Sequence, residues 1–124
     1  MEAIETTIDC SRDLTLVKAR GALQAGHFLD WVTKYYGNQA TTRILWNLND
    51  ADLSGLHSDE ICLIAQRTKA VSSAREGGKT AFVLENPLEY GVGRMLAAYM
   101  EIEDVPFVFR AFYTIDEASE WLGV

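Results

Sequence analysis

Histidine and cysteine occur only twice each in this chain, and that scarcity closes off most metal and nucleophile chemistry at the outset. His27 and His57 have no His or Cys at a ligand spacing, so surface or helix-capping roles are expected of both. Cys10 and Cys62 are far apart and belong to no C-x-x-C or His-bearing pattern, which reads as two reduced thiols. Cys62 lies among Ile61, Leu63 and Ile64 and is expected in the core. No apolar run approaches the roughly 20 residues of a membrane span, and Met1 to Glu5 lack the basic and apolar regions of a signal peptide. A cytoplasmic protein with no membrane span is therefore expected.

Positive charge is also short: 11 Lys and Arg stand against 18 Asp and Glu, a formal net charge of −7. Such a surface repels nucleic-acid phosphate and anionic headgroups unless a local patch overrides it. The nearest thing to a patch is Lys69, Arg75 and Lys79. They fall near the end of a predicted helix, where cations complement exposed carbonyls. No nucleic-acid partner is implied.

What the 124 residues do contain is apolar material for one core: 48% are hydrophobic and 23% charged, the balance of an ordinary globular domain. No linker, repeat or low-complexity stretch interrupts them, so one domain over residues 1–124 is expected. Alternation from Ala3 to Ile8 and from Leu14 to Ala19, around a break at Asp9 to Asp13, predicts a β-hairpin. Phe28, Leu29, Val32, Tyr35 and Tyr36 predict a helix stopped by Gly37-Asn38. Arg43 to Leu48 reads as a buried strand emptying into a polar loop, Asn49 to Asp52.

Ser58, as a capping hydroxyl before Asp59 and Glu60, opens a second helix through Ile61, Ile64, Ala65 and Thr68 toward Gly77-Gly78. Thr80 to Leu84 is a fourth strand. Asn86, Pro87 and Glu89 open a third helix in the manner of a capping box, with Leu88, Val92, Met95, Leu96 and Tyr99 on its inner face. Phe107 to Tyr113 is a last strand, and Thr114 to Glu117 repeats the capping spacing before a short helix burying Ile115, Ala118 and Leu122. The order ββαβαβαβα implies an α/β domain with a mixed, mostly parallel sheet, helices packed on it and an antiparallel hairpin at one side.

Chemical constellations are sparse. Asn47 to Asp52 places oxygen ligands at every second residue for three positions, but Asp52 stands where a calcium loop needs its glycine and Ser58 where it needs a closing glutamate. Tyr90-Gly-Val-Gly-Arg94 holds a G-x-G inside a helix, without the strand-to-helix turn or third glycine of a dinucleotide site. Each helical glycine costs about 1 kcal/mol against alanine. Gly91 and Gly93 therefore indicate a close approach to this helix, either by the sheet or by a partner or apolar ligand. Ser54 lies outside any G-x-S-x-G elbow. No catalytic residue, cofactor or metal site is assigned.

Ile44 to Leu56, a buried strand running into D-L-S-G-L before a helix, resembles the STAS domains of anti-sigma-factor antagonists and sulfate transporters, in their divergent SpoIIAA-like branch. The resemblance continues through Gly77 to Leu84, Tyr90 to Met95, Pro106 to Phe112 and Glu117 to Leu122. It implies a SpoIIAA/STAS-like fold. In the antagonists a D-S-S-G-L loop is a switch whose first serine is phosphorylated, disrupting docking to a kinase. Here Asp52, Ser54, Gly55 and Leu56 match that loop and Leu53 replaces the phosphoacceptor. A phosphate on Ser54 instead would sit beside Asp50, Asp52, Asp59 and Glu60.

The leading expectation is a non-enzymatic regulatory module that binds an unidentified protein partner. Its candidate interaction loop is Asp52, Ser54, Gly55, Leu56 and Ser58; its candidate helix-three surface or pocket is Tyr90, Gly91, Gly93, Arg94 and Met95. The branch is also similar in fold to CRAL-TRIO lipid-carrying domains. That implies an alternative, a small apolar molecule or lipid held near Met95, Tyr99, Met100, Phe107 and Phe109. A homo-oligomer follows if Trp31, Trp121 and Tyr90 exceed what the helices can bury.

Overall fold

A computed structural model describes residues 4–36 and 41–124. The chain runs β1 (Ile4–Asp9), β2 (Leu14–Ala22), α1 (Ala25–Tyr36), β3 (Arg43–Asp52) and α2 (Ser58–Val71). A 3-10 turn (Ser73–Arg75) follows, then β4 (Lys79–Val83), α3 (Pro87–Ile102), β5 (Val108–Phe112) and α4 (Ile115–Leu122). The sheet order is β1-β2-β3-β4-β5, antiparallel between β1 and β2 and parallel elsewhere. Each crossover advances one strand in the same direction. With right-handed connections this puts α1, α2 and α3 on one face, where Phe28, Trp31, Ile61, Ile64, Leu96 and Met100 share a core with Trp46 and Phe82 of the sheet. α4 alone covers part of the other face, packing Ala118 and Leu122 on Leu14, Leu45, Ala81 and Val83.

The expected element order holds, and several boundaries shift. α1 begins at Ala25, before the apolar periodicity starts, because the Gln24 N–H donates to His27 Nδ1 at 2.9 Å and satisfies the first turn. The expected first residue of β1, Ala3, and the expected stop at Gly37-Asn38 lie outside the described residues. β3 does not give way to a loop at Asn49. It continues to Asp52 because, past an irregularity opposite Lys18 and Arg20, β2 still pairs Arg20 with Asp50, Gly21 with Ala51 and Ala22 with Asp52. Backbone pairing there overrides polar side chains. Trp31 is buried, its Nε1–H donating to Thr6 Oγ1 at 2.9 Å, and Trp121 and Tyr90 are half-buried, so no tryptophan is left stranded on the surface.

Arg75 departs furthest from expectation. It sits in the 3-10 turn and is wholly buried. Its guanidinium donates to the carbonyls of Thr41 (2.9 Å), Thr42 (3.0 Å) and Lys79 (3.0 Å) and to the hydroxyls of Tyr36 (3.1 Å) and Thr80 (2.7 Å). The rings of Phe107 and Tyr36 lie 4.5 and 5.1 Å from it, a favourable seat for a planar cation. All its bonded acceptors are uncharged, so hydrogen bonds and ring faces replace the water that burial removes. Lys69 and Lys79 do meet carbonyls, those of Asp104 and Trp121.

At the hairpin, Asp13 adopts φ of 51°, a left-handed conformation that aspartate tolerates better than most residues. Its carboxylate accepts from the Thr42 hydroxyl and from the Thr42 N–H at 3.0 Å. The hydroxyl, and after it the N–H, holds the carboxyl below its ordinary value.

Candidate functional site

The loop that leaves β3 is pinned at both ends by leucines. Leu53 is 1% exposed and Leu56 is also buried in the core, and the Leu56 N–H donates to the Leu53 carbonyl at 3.0 Å to close the turn. Ser54 and Gly55, between them, are exposed. The Ser54 N–H donates to Asp52 Oδ1 at 2.9 Å, an Asx turn. The Ser54 side chain first, and its N–H second, lower the Asp52 carboxyl below its ordinary value. Nothing lies within 4 Å of where a Gly55 side chain would begin, so this position is open to an incoming surface.

Ser58 is not the cap of α2. His57 is, with extended backbone, and its N–H donates to the Glu60 carboxylate at 3.1 Å; Ser58 is the first helical residue and exposed. The shift by one residue follows from Glu60, which reaches back three positions and so selects His57.

The start of α3 stands beside this loop. Asn86 Oδ1 accepts from the N–H groups of Leu88 (2.9 Å) and Glu89 (3.4 Å), and Pro87 occupies the first turn. Glu89 does not complete a capping box. Its carboxylate crosses to accept the Leu53 N–H at 2.8 Å, while Asn49 Oδ1 accepts the Glu85 N–H at 3.0 Å. These two bonds join the end of β3 to the start of α3.

Leu88 is not on the inner face: it is 84% exposed. Met95 is exposed as well, and the buried residues are Gly93, Leu96 and Met100. A Cβ on Gly93 would lie 2.8 Å from Leu84 Cδ1 and 3.4 Å from Ala111 Cβ, so the close approach that the glycines indicate is, at Gly93, the sheet itself. Gly91 faces open space and Arg94 is exposed. Tyr90 stacks on Tyr113 with ring centroids 3.9 Å apart and planes at 11°. The two candidate sets thus meet at one end of the sheet through Leu53 and Glu89. Within the second set, Gly93 is turned away from the surface. Sequence reasoning missed Leu88 and Tyr113 here, and the spacing of Glu89 from Asn86 was its one signal for Glu89.

The residues of the apolar-ligand alternative are divided. Met100 and Phe107 are core, Tyr99 and Phe109 half-buried, and Met95 outward. In α4, Ile115 is likewise 40% exposed, while Ala118 and Leu122 are buried. Among the described residues no three His, Cys, Asp or Glu side chains are grouped to hold a metal, and no helix is long and apolar enough to cross a membrane. Cys10 is exposed and Cys62 half-buried, both as free thiols.

A sheet wound in one direction from an antiparallel hairpin, three helices on one face and a terminal helix on the other, defines a STAS-like α/β fold. The solved structure of the anti-sigma factor antagonist SpoIIAA in its unphosphorylated form aligns with 98% of this chain and 98% of its own, at a TM-score of 0.54 and 16% identity. The Bacillus cell fate determinant SpoIIAA in its phosphorylated form aligns with 96% of this chain and 98% of its own, at a TM-score of 0.51 and 15% identity. No protein-family model and no curated protein sequence matches the chain. The likeness is therefore one of fold.

Proposed function

We propose that residues 1–124 form a single cytoplasmic regulatory module that acts by docking a partner protein, not by catalysis. The observation that carries this reading is the Leu53–Glu89 hydrogen bond, which fixes the loop after β3 and the start of α3 as one preformed surface. Ser54, Gly55 and Leu88 project from it, with Asp50, Asp52 and Glu85 exposed around them. An apolar knob within an acidic rim suits a protein that offers an apolar socket flanked by basic residues. The fold shared with an anti-sigma factor antagonist supports the same class of work. Leu53, at the position the resemblance gives to the phosphoacceptor, is enclosed in the core, so docking here is set by shape and fixed charge.

The apolar-ligand alternative has less behind it, since Gly93 seats α3 directly against Leu84 and Ala111. Photo-crosslinkers placed at Ser54, at Leu88 and at the exposed Asp30 of α1 test the docking reading in cells. A discrete adduct from the first two positions, absent from the third and lost in Gly55→Trp, is expected. An adduct pattern indifferent to Gly55→Trp, in a variant that still folds, refutes it.

A further inference from the structure

The outer edge of β5 offers a different kind of surface. In a parallel ladder, alternate residues direct their main-chain N–H and C=O to opposite neighbours. The Val108 N–H donates to the Gly78 carbonyl and the Phe112 carbonyl accepts from the Leu84 N–H, each at 3.0 Å. Val108, Arg110 and Phe112 therefore bond toward β4, and Phe109 and Ala111 direct their groups outward. β5 is the terminal strand of the sheet, so those groups face no further strand.

A trough runs between this edge and α3. Its two halves, of about 370 and 350 Å³, share Ala97, Glu101 and Phe109 and so form one continuous channel. Ala97 and Ala98 keep the helical wall low enough for an extended chain to lie beside β5. Charge divides the trough by its length: Arg94 and Arg110 flank the half next to Tyr90, while Asp104 lines only the other half and Glu101 borders both. Neither arginine forms a hydrogen bond or ion pair among the described residues; Arg110 lies only over the Phe112 ring, at 5.6 Å. In a chain with a net charge of −7, two guanidinium groups left without a carboxylate on one groove indicate that the carboxylate comes from elsewhere.

A second copy of β5 suits the edge poorly. In the two-fold register that pairs Phe109 with Ala111 of the other copy, two Arg110 side chains face each other, and like charges directly opposite destabilise a strand pair.

We infer that β5 and α3 form a docking groove for an extended peptide of another protein, added to the sheet as a sixth strand with acidic side chains toward Arg94 and Arg110. This goes beyond the loop surface and does not depend on it. The full chain, titrated with blocked octapeptides alternating valine with glutamate or valine with lysine, tests it by amide shifts and hydrogen exchange. The glutamate peptide is expected to bind at least about tenfold tighter than the lysine peptide and to weaken with added salt. At saturation it protects the Phe109 and Ala111 amides. Arg94→Glu combined with Arg110→Glu, both at exposed positions, reverses the preference, and Gly55→Trp leaves it unchanged, so the two surfaces fail independently. Equal affinity for the two peptides, no binding, unprotected Phe109 and Ala111 amides, or a dimer in sedimentation that occupies β5 overturns the proposal.

Discussion

The main-chain N–H of Leu53 and the carboxylate of Glu89, 36 residues apart in sequence, meet at 2.8 Å. A strand-to-helix loop and a helix start are thereby held together by one charge-assisted bond, the stronger kind of hydrogen bond.

Glu89→Ala leaves the Leu53 N–H without its acceptor at the margin of the core, and the expected loss is about 1–2 kcal/mol. Urea unfolding reads that loss. Glu89→Gln, which keeps an acceptor oxygen, loses less. Hydrogen exchange localises the effect, with the Leu53 amide exchanging faster in the alanine variant.

Leu53→Ser places a hydroxyl where the resemblance puts a phosphoacceptor. Because Leu53 is 1% exposed within the core, the substitution removes buried apolar volume and adds a polar group, at a cost of about 3 kcal/mol or more. The urea midpoint is expected to fall at least as far as in Leu53→Ala. A neutral Leu53→Ser refutes the buried placement.

Gly91→Ala and Gly93→Ala are expected to differ in sign. At Gly91 nothing obstructs a methyl group, so the gain in helix propensity appears as roughly 0.5–1 kcal/mol of stabilisation. At Gly93 the methyl meets Leu84 Cδ1 at 2.8 Å, and Leu84 is itself enclosed. Overpacking there outweighs the propensity gain, with a net loss of about 1 kcal/mol. Thermal unfolding of the pair decides it.

Arg75→Lys retains the charge and loses the planar fork that reaches five acceptors on three segments. The expected cost is about 3 kcal/mol or more, since hydrogen bonds to a buried cation cannot be replaced by water. The deficit in urea is insensitive to salt, which separates it from a surface ion pair.

Asp13 gives a pH dependence whose sign is fixed. Its carboxyl lies below the ordinary value of 3.8, first because of the Thr42 hydroxyl and then the Thr42 N–H. A group lowered on folding contributes stability above its unfolded value and loses it as pH falls through its folded value. Asp13→Asn preserves tolerance of the left-handed backbone and removes the charge. Its deficit of about 1 kcal/mol at neutral pH is expected to shrink toward zero in urea titrations well below pH 3.8.

The succession of strands and helices was legible because apolar periodicity and caps such as Asn86 and Thr114 are local signals. What escaped was set by distant partners. Asn49 to Asp52 carry a loop's side chains, and only pairing with Arg20 to Ala22 makes them strand. The inner face of α3 centres on Gly93, which has no hydropathy to announce it, so Leu88 and Met95 were assigned inward in its place. Arg75 binds carbonyls 33 and 34 residues away, and its burial leaves no local trace. The loop from Asp52 to Leu56 stood out by its motif, whereas Glu89 became part of it only through a contact across the sheet end.

The strand order β1-β2-β3-β4-β5 also bears on how the chain reaches its native state. Sheet neighbours are consecutive in sequence, so no strand has to be threaded between two that have already paired. Each parallel addition closes only one crossover, and closure entropy rises slowly with loop length. Contacts remain local for a parallel sheet, the condition that favours rapid folding. During synthesis each strand emerges to find the edge it needs already formed, and the sheet can grow vectorially from the hairpin outward.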